Sequence, residues 1–262
     1  MNIMTWNINS VRLRAELVLK AADILKADVI CLQETKTPDE FFPHDVFDAA
    51  GFKYRHINGM KGYNGVAILS RIPFMGTGIH SRVEREDCRH IAVSFPEFEL
   101  HNLYIPAGGD IPDRDQNEKF GHKLDFVDDL TGYFSNTYKS SIPLMMVGDF
   151  NIAPFEHDVW SHKQLMDVVS HTPIEIEKLN QFRDGLKWVD VARKFIPISQ
   201  KHYTWWSYRN RDWKISNRGR RLDHIWVTEP IAPKIKSYTT LPETRDWEKT
   251  SDHVPVMVGL AL

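Results

Sequence analysis

The sequence predicts an α/β protein in which two stacked β-sheets carry helices on their outer faces. Short apolar segments of strand length recur along the chain, and Gly, Pro or Asn residues separate them. The first half, a strand–helix–strand unit followed by several strands, is loosely echoed by the second half. The length of 262 residues fits one large domain or two small ones. Because no Ser- or Gly-rich linker divides the chain, we expect a single domain over residues 1–262.

The N-terminal region is predicted to form a strand–helix–strand unit. Residues 1–8 alternate enough to form a strand, and residues 11–26 place apolar side chains near helical spacing. Residues 29–32 form an apolar strand that runs into a glutamine and a glutamate. The unit therefore carries Asn7 near the end of one strand and Glu34 near the end of the next.

The remaining elements follow from the same patterns. A run of short strands favours antiparallel pairing, and the last of them is expected to end at Tyr104. These strands are predicted over residues 52–57, 65–70, 89–95 and 98–104. Helices are predicted over residues 117–138, 174–182 and 188–194. Later strands are predicted over residues 203–208, 222–228, 234–241 and 254–260.

Residues 144–151 combine a buried strand with polar residues at its end. Residues 144–147 are apolar at every position, so both faces of this strand are expected to be buried. Gly148 allows close approach of the backbone, while Asp149 and Asn151 leave an extended chain on the same face. α/β sheets tend to place chemistry at such strand ends, although the pattern alone also fits a strand followed by an Asp/Asn turn.

The overall composition argues against several classes of protein. A net charge of −2 does not by itself indicate a nucleic-acid binder. Cys31 and Cys88, the two cysteines, indicate reduced core thiols rather than a disulfide framework or a zinc site. The N-terminus lacks the layout of a signal peptide, and the longest uncharged apolar run, residues 254–262, is too short to span a bilayer. We therefore expect a soluble cytoplasmic protein.

Four acidic residues lie at predicted strand ends: Glu34, Asp149, Asp223 and Asp252. Unpaired carboxylates are costly to bury, so their positions suggest a shared cation or a shared reaction. Oxygen ligands without a Cys or His cluster favour Mg²⁺ or Mn²⁺ over Zn²⁺. His253 directly follows one of these acids and could act as an acid, a base or a partner for a phosphate oxygen, although a lone histidine is as often structural.

Residues 201–221 concentrate positive charge and aromatic side chains. The segment contains seven Lys or Arg residues and one acid, whereas the remainder of the chain has 26 basic and 34 acidic residues. Five aromatics are interleaved with these charges: Tyr203, Trp205, Trp206, Tyr208 and Trp213. Such a segment suits phosphates and bases, so it predicts a nucleic-acid interface, with a solvated charged loop as the alternative.

Six short motifs occur in one order along the chain. They are TWNIN (5–9), LQETK (32–36), GYNGVAILSR (62–71), GDFNIAP (148–154), RLD (221–223) and SDHVPV (251–256). Together they resemble the exonuclease III family of apurinic/apyrimidinic (AP) endonucleases, part of the wider endonuclease/exonuclease/phosphatase superfamily that includes deoxyribonuclease I. The resemblance runs from the first strand to the last and so covers nearly the whole chain.

This resemblance implies a fold and an activity. The fold would be a four-layer α/β sandwich, with two packed mixed β-sheets flanked by helices, as in deoxyribonuclease I. The activity would be Mg²⁺-dependent hydrolysis of the phosphodiester on the 5′ side of an abasic site, with 3′→5′ exonuclease (exodeoxyribonuclease III) and 3′-end-cleaning activities. The implied partner is double-stranded DNA with abasic sites or blocked 3′ ends. We expect a monomer that associates with the nucleoid through DNA and does not associate with a membrane.

The resemblance also implies a metal site. Glu34 matches the principal metal-binding glutamate of the family, and Asn7 and Asp252 match residues close to that metal. Asp149 and Asn151 belong to the same group of oxygen ligands. We expect Mg²⁺, or Mn²⁺, at this position.

Five residues match catalytic positions of the family. Asp149 matches the aspartate proposed either to activate the attacking water or to protonate the leaving group, and Asn151 matches the amide that orients it. His253 matches the histidine that contacts the scissile phosphate, and Asp223 matches the carboxylate that orients this histidine. Tyr104 matches the active-site tyrosine near the phosphate.

The basic and aromatic segment matches a family loop that crosses the DNA groove and forms part of the abasic-sugar pocket. The residues expected to bind DNA are Trp205, Arg209, Arg211, Lys214, Arg220 and Leu222. One departure is Ala107, where the family usually carries Asn or Gln. A side-chain donor toward DNA is therefore missing, which puts the balance of endonuclease and exonuclease activity in doubt.

Two other functions are compatible with the fold. One is a phosphodiesterase or phosphatase that acts on a small phosphorylated molecule, and the basic and aromatic segment argues against it. The other is a catalytically inactive DNA-binding module. The presence of all the catalytic residue types argues against that second function, since a binding protein does not need them.

Overall fold

The computed structural model of the protein describes residues 1–210 and 212–262. Within these residues the strands are β1 Asn2–Asn7, β2 Val29–Gln33, β3 Tyr54–Asn58, β4 Val66–Ser70, β5 Gly76–Ile79, β6 His90–Ser94, β7 Glu99–Tyr104, β8 Leu144–Asp149, β9 Val189–Asp190, β10 Trp205–Trp206, β11 Gly219–Arg220, β12 Asp223–Val227, β13 Ile235–Thr240 and β14 Val256–Leu260. The helices are α1 Val11–Leu25, α2 His44–Ala49, α3 Glu118–Thr137, α4 His162–Leu165, α5 Pro173–Gly185, α6 Val191–Phe195 and α7 Trp213–Ser216.

The strands form two large mixed sheets. The first sheet has the order β13-β14-β1-β2-β4-β3, and the second has the order β5-β6-β7-β8-β12-β9. One parallel pair lies in the middle of each sheet, β1 with β2 and β7 with β8, and the neighbouring strands pair antiparallel. Strands β10 and β11 form a separate two-stranded ribbon.

Alternation along the strands explains how the layers stack. In β8, Met145 and Val147 point into the core between the two sheets, while Leu144 and Met146 pack under α3 and α5. The outer face of the first sheet is covered in the same way by α1 and α2. Helices therefore flank two packed sheets, which confirms the predicted four-layer α/β sandwich and the burial of both faces of residues 144–147.

Some elements differ from the predictions. Strand β5 was not predicted, because its Gly-Thr-Gly-Ile sequence lacks a clear apolar pattern. The strand predicted over 203–208 is only two residues long, because Trp205 and Trp206 have only the short β11 as a partner. The two cysteines are free thiols as expected, but only Cys31 lies in the core, whereas Cys88 is partly exposed.

Gly148 sets the distance between the two central strands of the second sheet. Its φ is 141°, and a Cβ atom there would lie 1.9 Å from the carbonyl oxygen of Leu103 on β7. Any side chain would therefore collide with the backbone of β7 directly before Asp149. The close approach expected from the sequence is thus present next to the predicted catalytic residue.

In the part of the chain described, no helix has the length and apolar character that crossing a membrane requires.

Three histidines lie together between the second sheet and α3. Nε2 of His90 and Nδ1 of His101 are 2.9 Å apart, and the ring of His80 lies 4.5 Å from that of His90. Arg82 donates to Nδ1 of His90, so Nε2 of His90 carries a proton and donates to His101. Ring nitrogens of His80, His90 and His101 lie within 4.8 Å of one another, as in a metal site. The hydrogen bonds from Arg82 to His90 and from His90 to His101, however, suit neutral imidazoles better than a metal ion.

These histidines should make the fold sensitive to acid. Burial lowers the pKa of all three, to about 4 for His80, whereas unfolded histidine titrates near 6.5. Below about pH 6.5 the unfolded chain therefore binds more protons than the folded protein does. The stability that these histidines contribute above that pH is lost as the pH falls toward about 4.

For His90→Gln we expect the free energy of unfolding to depend less steeply on pH than in the wild type. The slope should be smaller by at most about 1.4 kcal/mol per pH unit. Urea unfolding at several pH values measures it, with the partly exposed His44→Gln as the control. An unchanged slope in His90→Gln contradicts the expectation.

Candidate active site

Polar strand ends from both sheets meet at one edge of the sandwich. In the second sheet, Tyr104 pairs with Asp149 across β7 and β8, and Asp149 pairs with Asp223 across β8 and β12. In the first sheet, Asn7 ends β1 next to the end of β2, and Glu34 directly follows β2. The strand order therefore brings together residues that are far apart in the chain.

Asn7 links the two sheets at this edge. Its Nδ2 donates to Oε1 of Glu34 and to Oδ2 of Asp149, and both distances are 2.9 Å. The hydroxyl of Tyr104 donates to the same Oε1 of Glu34 at 2.8 Å. Nζ of Lys36 lies 2.7 Å from the other carboxylate oxygen, Oε2. Glu34 is thus held by two neutral donors and one cation, at the point where the two sheets meet.

Asn151 is oriented by the turn that follows β8. Its backbone N–H donates to Oδ1 of Asp149 at 2.9 Å, and its Nδ2 donates to Oδ2 of Asp149 at 3.1 Å and to the carbonyl of Ile105 at 2.9 Å. Asn151 adopts a left-handed conformation with φ of 53°. Asparagine tolerates this conformation better than most residues, so the turn and the carboxylate contact support each other.

His253 is held between two aspartates. Nδ1 of His253 lies 2.9 Å from Oδ2 of Asp223, and its Nε2 lies 3.6 Å from Oδ2 of Asp149. The hydroxyl of Thr204 also donates to Oδ2 of Asp223 at 2.6 Å. Asp223 is fully buried behind the histidine, so it orients the imidazole and does not face the solvent.

The charges of the site follow from these contacts. For Glu34, burial raises the pKa, but Lys36 and the hydrogen bonds outweigh burial and hold the pKa below its ordinary value. For Asp149, burial raises the pKa, and Asp223 adds to this rise against the opposing effect of His253. For His253, burial lowers the pKa, but the two aspartates raise it above its ordinary value. These contacts therefore favour the ionised form of Glu34 and the protonated form of His253, and they make Asp149 easier to protonate than an ordinary aspartate.

The oxygen donors of the site fit a hard divalent cation. Ligand atoms of Asp149, Asp223 and His253 lie within 4.8 Å of one another. Because Asp223 and His253 are hydrogen-bonded to each other, the carboxylate oxygens of Glu34 and Asp149 suit a metal better than the imidazole does. A set of carboxylate and amide oxygens is the chemistry that Mg²⁺ and Mn²⁺ prefer.

A cleft of about 580 Å³ opens over these residues. Trp205 donates its indole N–H to Oδ2 of Asp252 at 2.9 Å, which joins the basic and aromatic segment to the predicted metal-site residues. The cleft is lined by the expected site residues Glu34, Asp149, Asn151, Trp205, Arg209, Arg220, Leu222, Asp252 and His253, and also by Ala107. The acidic side and the aromatic and basic side thus face one space.

Two residues predicted to bind DNA differ from this group. The ammonium of Lys214 forms an ion pair with Asp246 at 2.6 Å, so its charge is already partly neutralised. Arg211 lies outside the described residues. The DNA-binding role of both stays a prediction.

Several contributing residues were not identified from the sequence. Lys36 lies within the LQETK motif, two residues from Glu34, so that motif was the available signal. Thr204 and Ser170 had no such signal, because their contacts with Asp223 and Arg220 join distant segments. Tertiary packing alone brings these hydroxyls to the site.

Comparison with known proteins agrees with this geometry. The model of the Endonuclease/Exonuclease/phosphatase family matches residues 4–253. Exodeoxyribonuclease III of Haemophilus influenzae is 28% identical over 274 aligned positions, which cover 98% of each chain. An AP endonuclease structure from Archaeoglobus fulgidus superposes with a TM-score of 0.92 at 31% identity, covering all of both chains. A structure of the 3′ phosphatase NExo from Neisseria, bound to a product DNA hairpin, gives a TM-score of 0.91 at 28% identity, again over all of both chains.

These matches extend over both sheets and over every segment that contributes to the cleft. They agree with the order of the six sequence motifs. The chain therefore belongs to the endonuclease/exonuclease/phosphatase family and, within it, to the exonuclease III family of AP endonucleases.

Proposed function

We propose that the protein is a DNA-repair nuclease. It hydrolyses the phosphodiester on the 5′ side of abasic sites, and it removes nucleotides and blocking groups from 3′ ends of double-stranded DNA. The observation that carries this proposal is the convergence of Glu34, Asp149 and His253 in a cleft whose other wall is aromatic and basic. The similarity to an exodeoxyribonuclease III and to AP endonucleases supports the same activity.

The site residues divide the work of phosphodiester hydrolysis. Hydrolysis needs a nucleophilic water, neutralisation of charge on the phosphoryl oxygens and help for the leaving oxygen. Asp149, with its raised pKa, is suited to accept a proton from water or to give one to the leaving oxygen. His253 presents a cation to a phosphoryl oxygen, and Asp223 orients it. Tyr104 and Asn151 act as neutral donors that hold this arrangement.

The metal of the reaction is proposed to be Mg²⁺ or Mn²⁺. Glu34 and Asp149 would hold it, with Asn7, Asn151 and Asp252 as the nearby oxygen-bearing groups. When bound there, such an ion would neutralise charge on the phosphoryl oxygens. The carboxylates of Glu34 and Asp149, which share the amide of Asn7 as a hydrogen-bond donor, support this proposal.

Residues 1–262 are proposed to act as one monomeric domain. The catalytic group draws side chains from both sheets, since Asn7 belongs to β1 and Asp149 to β8. The two sheets also share one apolar core. Splitting the chain would therefore divide the site as well as the core.

A cleavage assay tests the proposed function. A labelled duplex with one abasic-site analogue is incubated with the protein, with and without Mg²⁺, next to an undamaged duplex. We expect incision on the 5′ side of the analogue and loss of nucleotides from 3′ ends, both only when Mg²⁺ is present. Binding without cleavage would favour an inactive DNA-binding module. Hydrolysis of a small phosphodiester without cleavage of DNA would favour the small-substrate alternative.

Arg209 should contribute one phosphate contact. Its side chain is exposed at the rim of the cleft. For Arg209→Ala we expect weaker DNA binding and a slope of log affinity against log salt that is smaller by about one. Fluorescence anisotropy over a range of salt concentrations measures this slope. Lys214→Ala is the comparison in the same segment, and its slope should change less because Asp246 already pairs with that ammonium. An unchanged slope in Arg209→Ala counts against a phosphate contact.

A further inference from the structure

A buried ion pair lies beneath the cleft, outside the residues that line it. Lys123 of α3 and Glu175 of α5 have no exposed surface, and Nζ of Lys123 contacts Oε1 of Glu175. Burial of two charges costs free energy even when they are paired, and well-packed apolar residues often replace such pairs without loss. A pair at this position therefore suggests a purpose other than stability.

Lys123 connects the pair to the catalytic turn. Besides the carboxylate, its ammonium donates to the backbone carbonyl of Asn151 at 2.8 Å and to that of Ala107 at 3.2 Å. Its three protons thus reach three acceptors. Gly108 lets the loop lie over the lysine stem, because a Cβ atom there would be 2.8 Å from Cδ of Lys123, at a φ of +90°. One side chain therefore holds both the turn that orients Asn151 and the loop at the edge of the cleft.

Glu175 connects the pair to the opposite wall. Its carboxylate accepts from the backbone N–H of Ser170 at 2.9 and 3.0 Å and from the backbone N–H of Thr172 at 3.1 Å. Ser170 adopts a positive φ of 88°, and its hydroxyl accepts from Arg220 at 2.7 Å. Ser170 and Arg220 both line the cleft. The carboxylate of Glu175 thus fixes the backbone at Ser170, which has a strained conformation and is hydrogen-bonded to Arg220 in the wall of the cleft.

We propose that Lys123 and Glu175 are positioning residues of the nuclease site, which act through Asn151 on one side of the cleft and through Ser170 on the other. The proposal rests on the proposed function, since it concerns the same reaction. Neither residue lines the cleft, so the pair acts on the site through the groups that it holds. Small displacements of catalytic groups are costly to turnover, so loss of the pair should act mainly on kcat.

The test removes the pair without leaving an unpaired buried charge. In Lys123→Met/Glu175→Gln both charges are absent, and the glutamine oxygen can still accept from Ser170 and Thr172. We expect kcat on an abasic duplex at saturating DNA to fall about ten-fold or more, with a smaller rise in KM. The matched control is Lys178→Gln/Asp128→Asn, which removes a partly exposed ion pair between the same two helices and should leave kcat unchanged.

A second variant covers the case in which the double variant does not fold. Gly108→Ala keeps both charges and pushes against the lysine stem, so it should lower kcat as well. A kcat within about two-fold of the wild type in Lys123→Met/Glu175→Gln, or in Gly108→Ala where the double variant does not fold, overturns the inference. A merely structural role would lower the melting temperature and leave kcat at low temperature unchanged. If the wild-type protein itself does not cleave DNA, the proposed function fails and the inference fails with it.

Discussion

Asp149→Asn is expected to lower kcat on an abasic duplex by about three orders of magnitude while DNA binding is largely retained. The amide has nearly the shape of the carboxylate, so its oxygen can replace Oδ2 and still accept from Nδ2 of Asn7 and of Asn151, while the contact of Oδ1 with the backbone N–H of Asn151 is lost. It cannot, however, take a proton from water or give one to the leaving oxygen. Single-turnover cleavage measures the rate, and fluorescence anisotropy without metal measures binding.

Asp128→Asn on α3 is the matched control for this substitution, because it makes the same chemical change at an exposed carboxylate. It should leave both measurements unchanged. Near-wild-type turnover in Asp149→Asn would exclude this residue as the acid or base of the reaction. Loss of DNA binding in parallel with the rate would instead indicate that the substitution disturbs the cleft.

His253→Ala should have an effect of similar size on kcat. The substitution removes the imidazole proposed to contact a phosphoryl oxygen, and it leaves the buried carboxylates of Asp149 and Asp223 without their shared partner. A loss of thermal stability should therefore accompany the loss of turnover. Asp223→Asn should lower kcat less, because it acts through the histidine and leaves the imidazole in place.

The combination of these two substitutions separates their roles. If Asp223 acts only through His253, the double variant His253→Ala/Asp223→Asn should be no slower than His253→Ala alone. Single-turnover rates of the three variants provide this comparison. Rates that multiply in the double variant would show that Asp223 has a separate role, and would contradict the orienting contact as its main function.

Local patterns were enough for most of the fold. The apolar run before Gly148 predicts a strand buried on both faces, because only a sheet covered on both sides tolerates such a run. The helix over 117–138 was also predicted correctly to within a residue at each end, since its apolar side chains share one face. Strands β5 and β11 were not predicted, and β10 was predicted too long, because the pairing of these strands depends on distant partners rather than on local composition.

The candidate site was predicted less completely than the fold. Residue types at strand ends indicate carboxylates and a histidine with shared chemistry, and Asn7, Glu34, Asp149 and His253 do come together. Their partners depend on strand order, which sequence periodicity does not contain. Lys123 shows the difference clearly: a lysine within an amphipathic helix is ordinarily exposed, yet here it is fully buried.

By itself, the sequence determined most of the strands and helices along the chain, the residue types at the strand ends and the family resemblance that links them. Tertiary structure alone decided that Asp223 lies behind His253, that Lys214 is paired with Asp246 and that Lys123 reaches Asn151. The physical reason is that side-chain alternation and helical periodicity are local properties. Contacts across the two sheets depend instead on how distant segments stack, and that stacking sets the distances at which the site residues can act.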